Sequence, residues 1–568
     1  MTSQSDPKAS KKRAGRKRLP PLAPGPALQF VVASHPDDFK ADETMRNVRS
    51  HVMYKHRGEQ RGVSPRDRSK SGERSNRRIA GTRTPSPMTT NSDGILEDDN
   101  IFPEGNSFLA PPRRRSTVWD GQFIQLMSQS AQMGPVRDLA ARIISACTAE
   151  PARSAPPTFH QGSEFPFPSG SAIAQESLQD LKAVYVEGGE FCQNRVWMET
   201  VCSTRMSFLS HVSATCVYQD VAEGYLEDSA LTVYAKTKVL RMIKDSLQGF
   251  NTQSDDFIIL SILYLLVSEI GGFDEDVFDV HQQGLVRIIH QRGGIGNLGQ
   301  GGDIATFLIL VILSFTILRG QAEPTMLHGY VPSRRQSTTL QRSLPVSPLY
   351  APHGDLSPMY GLCTDATYEI LCDMHELTRT FVARWTYVGG SSTDLASYDA
   401  HMQQIYTTLL LRPSTDDDIT ADWVYESCRL AALIYCRSIV QGMPLSDSAN
   451  TIHARSSGAD ISGITMISAL HNALENTDKS GLWGDMCGVF LWICLVGGAG
   501  SWPSSQLVFG ERDDLHTSSA WVRKCFALLA VKSSLSHGFE HAGAVVEAQR
   551  TMLQVQSLIN LKRGIASQ

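Results

Sequence analysis

Lys11-Lys12-Arg13-Ala14-Gly15-Arg16-Lys17-Arg18 places six cations within eight residues. Charge at that density forms charge-assisted hydrogen bonds to phosphate oxygens, or pairs with the acidic grooves of a nuclear import receptor. Lys11, Lys12, Arg13, Arg16, Lys17 and Arg18 are therefore candidate contacts for import and for phosphate. A second basic group follows. From Asp42 a helix is expected, with Met45, Val48 and Val52 on one side and Arg46, Arg49, His56 and Arg57 on another. Arg46, Arg49 and Arg57 are candidate phosphate contacts; the competing reading is a solvated face whose apolar residues dock on the body.

Gly15-Arg16 is similar to the core of an AT-hook, an extended G-R-P segment that enters a narrow minor groove, but Lys17 stands where that motif has proline. Nuclear targeting ranks first among the uses of this cluster. Nonspecific phosphate binding ranks second and AT-rich readout third, beside a plain solvated tail.

Gly294-Ile295-Gly296-Asn297-Leu298-Gly299 spells G-x-G-x-x-G. Dinucleotide binding needs a strand before such a turn and an acidic residue on a second strand about 20 residues later. Here the preceding HQQGLVRIIHQRGG has helical spacing and the following stretch is continuously apolar, so a helix-to-helix turn is expected. Arg287, Arg292 and the Gly293 to Gly299 turn are expected to shape an interface. No G-x-S-x-G or H-E-x-x-H occurs, and the sixteen histidines are dispersed. His51 and His56, five apart, diverge by about 140° on a helix, too far to share one ion. No catalytic, cofactor-binding or metal-ligating residue is expected, and no cofactor. An enzyme stays open only because catalytic groups can converge from distant positions.

The eleven cysteines begin at Cys147 and never form C-x-x-C. Cys216, Cys428, Cys436, Cys487 and Cys494 lie in apolar helical patterns, where a thiol behaves as a small buried hydrophobe. A reducing compartment, nucleus or cytosol, fits that usage. Residues 1–90 hold 20 Lys or Arg against 8 Asp or Glu, while the whole chain carries a net charge of −5. The chain thus reads as a basic arm on an acidic body.

Four segments follow from these shifts. Residues 1–29 are a basic, disordered tail, and 30–57 a short basic amphipathic motif opening on the capping-box form Ser34-His35-Pro36-Asp37. Residues 58–118 are an Arg/Ser/Pro linker, disordered by composition, with phosphorylation patterns at Ser64, Thr84, Ser86 and Arg113-Arg114-Arg115-Ser116. Residues 119–568 form an all-α body, interrupted at 325–362 by an internal flexible loop. Within it, Leu178, Leu181 and Tyr185 share one helical face, as do Ala235, Val239, Ile243 and Leu247. The second of these helices has Asp228 and Ser229 as cap candidates and Gly249 as its stop. Phe257 to Val267, Ile304 to Leu318 and Met486 to Gly500 are apolar runs of about 11 to 15 residues. They are shorter than the roughly 18 to 20 that span a bilayer, and read as core helices.

Four stretches resemble a known family. FVVASHPDDFKADETMRNVRSHVMYKHR resembles the opening of a group of fungal proteins with a fungal-specific transcription factor domain. HQQGLVRIIHQRGGIGNLG, with Gln321-Ala322-Glu323-Pro324 after the next helix, resembles the H-x-x-G-L…R-G-G-L…L-G segment of that domain. Tyr425 to Tyr435 resembles its C-R-L-A-A-L-I-Y helix, and Leu491-Trp492 through Ala499 its L-W-x-x-x-V-G-G-A helix. The resemblance covers 30–57 and 119–563.

It implies an all-α domain like the middle-homology region of fungal zinc-cluster regulators, nuclear residence and a role in transcription. Many such regulators read DNA with a six-cysteine binuclear zinc cluster. No cysteine precedes Cys147, so a member without that cluster is expected, and sequence-specific DNA binding does not carry over. The expected partners are an import receptor, protein partners of transcription regulation or a small effector, and DNA only weakly through the basic arm. A homodimer is compatible with this reading, and no membrane partner is expected. The alternative is a cytosolic helical scaffold unrelated to transcription.

Overall fold

The computed structural model describes residues 135–148, 177–188, 195–248, 255–272, 275–332, 343–386, 392–415, 421–453, 464–502 and 513–564. The tail, the 30–57 motif, the linker, and with them every basic candidate from Lys11 to Arg57, lie outside these residues.

Sixteen α-helices and no strand occur among the described residues. In chain order they are α1 Pro135–Thr148, α2 Leu178–Gly188, α3 Arg195–Cys202, α4 Arg205–Ala222, α5 Ala230–Gln248, α6 Asp256–Glu269, α7 Glu275–Gln291 and α8 Asp303–Leu318. After these come α9 Asp365–Thr386, α10 Ser392–Leu410, α11 Trp423–Gln441, α12 Leu445–Ala449, α13 Met466–Glu475, α14 Cys487–Ser501, α15 Asp513–Gly538 and α16 Ala542–Lys562. The all-α expectation holds for this body.

Local chemistry sets the boundaries. Thr204, Asp255, Asp422 and Thr465 sit before α4, α6, α11 and α13, and each side chain accepts a first-turn backbone N–H. Ser229 caps α5 in the same way, accepting from Thr232 N. Gly442 ends α11 at φ 66°, a left-handed position that suits glycine.

The three apolar runs become α6, α8 and α14. Helices apolar on every side must be covered on every side, and all sixteen residues of α8 are buried. α8 packs on α15 and α16, α14 on α15, α4 on α6, and α11 on α9 and α13. Gly484–Ser501 is long and apolar enough to cross a membrane, yet 89% of it is already covered inside the protein. Where α8 carries polar residues, the core supplies partners. Buried Gln549 of α16 donates to Leu310 O, Ser314 Oγ and Ser534 Oγ, tying α8, α15 and α16 together.

The glycines of the L-W-x-x-x-V-G-G-A stretch have a packing reason. A Cβ on Gly497 would lie 2.5 Å from the Phe526 ring of α15, and one on Gly498 would overlap Leu318 of α8. Bare backbone there lets α14 approach both neighbours.

Of the internal loop expected at 325–362, the described parts are 325–332 and 343–362. They are irregular, with 3-10 turns at Thr325–Leu327 and Ser357–Met359, but Leu327, Val346, Leu349, Leu356 and Met359 are buried in the core. Their apolar residues lack a helical period, so the Pro/Ser content dominates the sequence reading.

Candidate functional site

The glycine turn is a closed structural knot. It lies between α7 and α8, with Gly293 and Gly294 at φ 80° and 104°. Arg292 Nη2 donates to Asp256 Oδ1 at 2.6 Å, and Gly299 N donates to Asp256 Oδ2 at 3.0 Å. Asn297 Nδ2 donates back to Arg292 O and Gly293 O. The carboxylate of α6 thus stands where a phosphate would be sought, and a Cβ on Gly299 would lie 2.5 Å from it. Arg292 is engaged within the protein, whereas Arg287 is exposed.

Buried histidines are poor proton carriers here. Burial pulls His211 down to about 3 and His471 to about 4. Both rings are then neutral near pH 7, far from the matched pKa of a general acid or base. The thiols move the other way: burial pushes Cys147 and Cys216 up to about 12 and holds Cys428 and Cys494 well above the ordinary value. Among the described residues no group of three or more His, Cys, Asp or Glu gathers as metal ligands would.

The described residues do hold one cleft walled by four separate segments, with a volume of about 290 Å³. It opens where the C-terminal ends of α8, α14 and α16 meet the start of α12. Leu318, Leu445, Ile559 and Trp502 supply apolar wall. Trp502 is also held by Arg523, whose guanidinium lies 5.4 Å from the ring centroid and donates to Gly271 O and Gly272 O. Gln556 Nε2 donates to Ile317 O and joins α16 to the end of α8.

Three polar side chains lining the cleft have no hydrogen-bond partner among the described residues: Ser446, Asn560 and Arg563. Ser446 is only 8% exposed. Its hydroxyl is nevertheless not among the buried, sealed polar atoms, so it remains reachable. Two cations and no carboxylate line the cleft. Arg319 is balanced by Asp279 at 2.6 Å and lies over the Phe278 ring. Arg563 is exposed and forms no ion pair among the described residues. Its neighbour Lys562 turns elsewhere, donating to Ile439 O and Val440 O at the end of α11, and burial draws its ammonium below the ordinary range.

Two electrostatic effects oppose each other in the cleft. Three converging helix C-termini disfavour an anion by about 0.3–1 kcal/mol each when exposed. A hydrogen bond from a guanidinium to an anion contributes about 1.5–3 kcal/mol. Because Arg563 is exposed, solvent weakens its share, and donation from Ser446 and Asn560 is needed beside it to offset the dipoles. Sequence reading missed this site because its walls come from segments as distant as Leu318 and Arg563. A cation in the last turn of a helix reads simply as a complement to the dipole.

The fold defines an all-α domain. The family model described as the fungal specific transcription factor domain matches residues 208–548, and the chain belongs to that family. No curated protein and no solved structure matches the chain. The match runs from within α4 to within α16 and includes three of the stretches that carry the resemblance, those of α7 with its glycine turn, α11 and α14, while the 30–57 stretch lies outside it. Membership gives the chain a transcription-regulator-like role. The family is regulatory rather than enzymatic, and the nucleus is its general place of work.

Proposed function

We propose that the protein is a nuclear regulator of transcription that works without a zinc cluster of its own. Its helical domain acts through protein partners or a small effector, and its basic N-terminal residues supply import and weak, nonspecific contact with DNA. The observation that carries this reading is a pairing: a fungal specific transcription factor domain over 208–548, and no cysteine before Cys147. The binuclear cluster needs six thiolates, and the residues before Cys147 supply none. A basic segment can contact phosphates, with an affinity that falls steeply as salt rises.

The test is a fluorescent fusion of the full chain beside one lacking residues 8–18. Nuclear accumulation of the first and its loss in the second are expected. An intact fusion that stays in the cytosol contradicts the reading and leaves a helical scaffold in its place.

A further inference from the structure

We infer that the cleft between α8, α12, α14 and α16 is a receptor site for a small organic carboxylate with an apolar body. The volume, about 290 Å³, falls just below the range for drug-sized ligand sites, roughly 300–1,000 Å³. That size excludes large cofactors and suits a compact metabolite.

The wall specifies the chemistry. Ser446 is more than nine-tenths buried as a residue and lines the cleft, and its hydroxyl has no protein partner among the described residues. The Ser446 Oγ is not one of the sealed, unpartnered atoms of the interior, so solvent completes it in the free protein and a ligand oxygen can take that solvent's place. Asn560 adds an amide and Arg563 the cleft's one cation without an ion pair among the described residues. All three can donate, and a carboxylate can accept from several donors at once. Leu445, Ile559 and Trp502 then cover the apolar remainder. A cationic ligand would meet no carboxylate in this wall.

The site also has a route to the rest of the domain. It sits where four helices meet, and a ligand held by both Ser446 and Arg563 would clamp the start of α12 to the end of α16. The inference relies on the proposed regulatory role only for its meaning in the cell. The binding itself is measured on purified protein and stands whether or not the protein enters the nucleus.

The experiment titrates the full chain with benzoate, phenylacetate and 4-methylpentanoate, reading melting temperature and heat of binding. Benzamide and benzylamine serve as neutral and cationic counterparts. At least one carboxylate is expected to bind with a dissociation constant near or below about 1 mM and to raise the melting temperature. Benzamide and benzylamine should bind at least about tenfold more weakly. Arg563→Gln and Ser446→Ala should each weaken the carboxylate by about tenfold or more, because each removes a donor to the anion. Arg563 is exposed and unpaired, so its variant should melt as the parent does without ligand. The inference is overturned if no carboxylate binds, if benzamide binds equally well, or if the Arg563→Gln protein keeps full affinity.

Discussion

Arg429 holds both carboxylate oxygens of Glu426 from three residues further along α11, at 2.6 and 2.8 Å, and both side chains are buried. Ser414 Oγ and Thr415 N donate to the same carboxylate and fasten the chain ahead of the helix to it. Burial alone would push the Glu426 carboxyl up, but Arg429 and these two donors outweigh it and hold it below the ordinary glutamate value. Glu426→Gln leaves a buried guanidinium without its counter-charge, and a loss of about 3–5 kcal/mol in urea unfolding is expected. The pH dependence has a definite sign. A depressed carboxyl contributes stability above its unfolded pKa, about 4.3, and that contribution disappears as pH falls through the lower folded value. The parent should therefore lose stability more steeply in acid than the Gln variant. Parallel acid limbs would show that Glu426 titrates alike in the folded and unfolded chain.

Glycine substitutions should separate by what a methyl would meet. At Gly488 in α14, a Cβ would collide with the backbone carbonyl of Val346 and the carbonyl carbon of Pro345. Gly488→Ala is expected to destabilise by about 1–3 kcal/mol, the usual cost of overpacking. At Gly543 in α16 nothing lies within 4 Å, so Gly543→Ala should be neutral or stabilising by up to about 1 kcal/mol. Urea midpoints measure both, and equal effects would contradict the packing of α14 on the 343–350 segment.

Thiol labelling should follow burial. Cys216, Cys428 and Cys494 are buried, and their thiols are held protonated at neutral pH. The thiolate is the reacting species. Alkylation read by mass spectrometry should leave these three unmodified in the native protein and label them fully in guanidinium. Rapid native labelling would contradict the core described for α4, α11 and α14.

Much of the body was legible because long helices announce themselves. Ala235, Val239 and Ile243 lie on the buried face of α5, and the cap at Ser229 falls where the turn residues placed it; the expected stop at Gly249 lies outside the described residues. Leu285, Ile288 and Ile289 likewise face the core from α7. The residues of the resembling stretches also acquire physical reasons: Arg429 forms the buried pair of α11, and Gly497 and Gly498 admit Phe526 and Leu318. The role of Asp256 inside the glycine turn was hidden, since it acts from 43 residues before Gly299. The cleft was hidden for the same reason. Ser446, Trp502 and Arg563 have no common period or motif, and only the meeting of helix ends brings them together.

Nascent-RNA sequencing within minutes of induced degradation of the full-length protein tests regulation of transcription most directly. A defined set of genes should change synthesis rate before total protein or growth responds, and reintroducing the intact chain should restore them. Unchanged nascent transcription after complete loss of the protein would contradict a regulatory role for this chain.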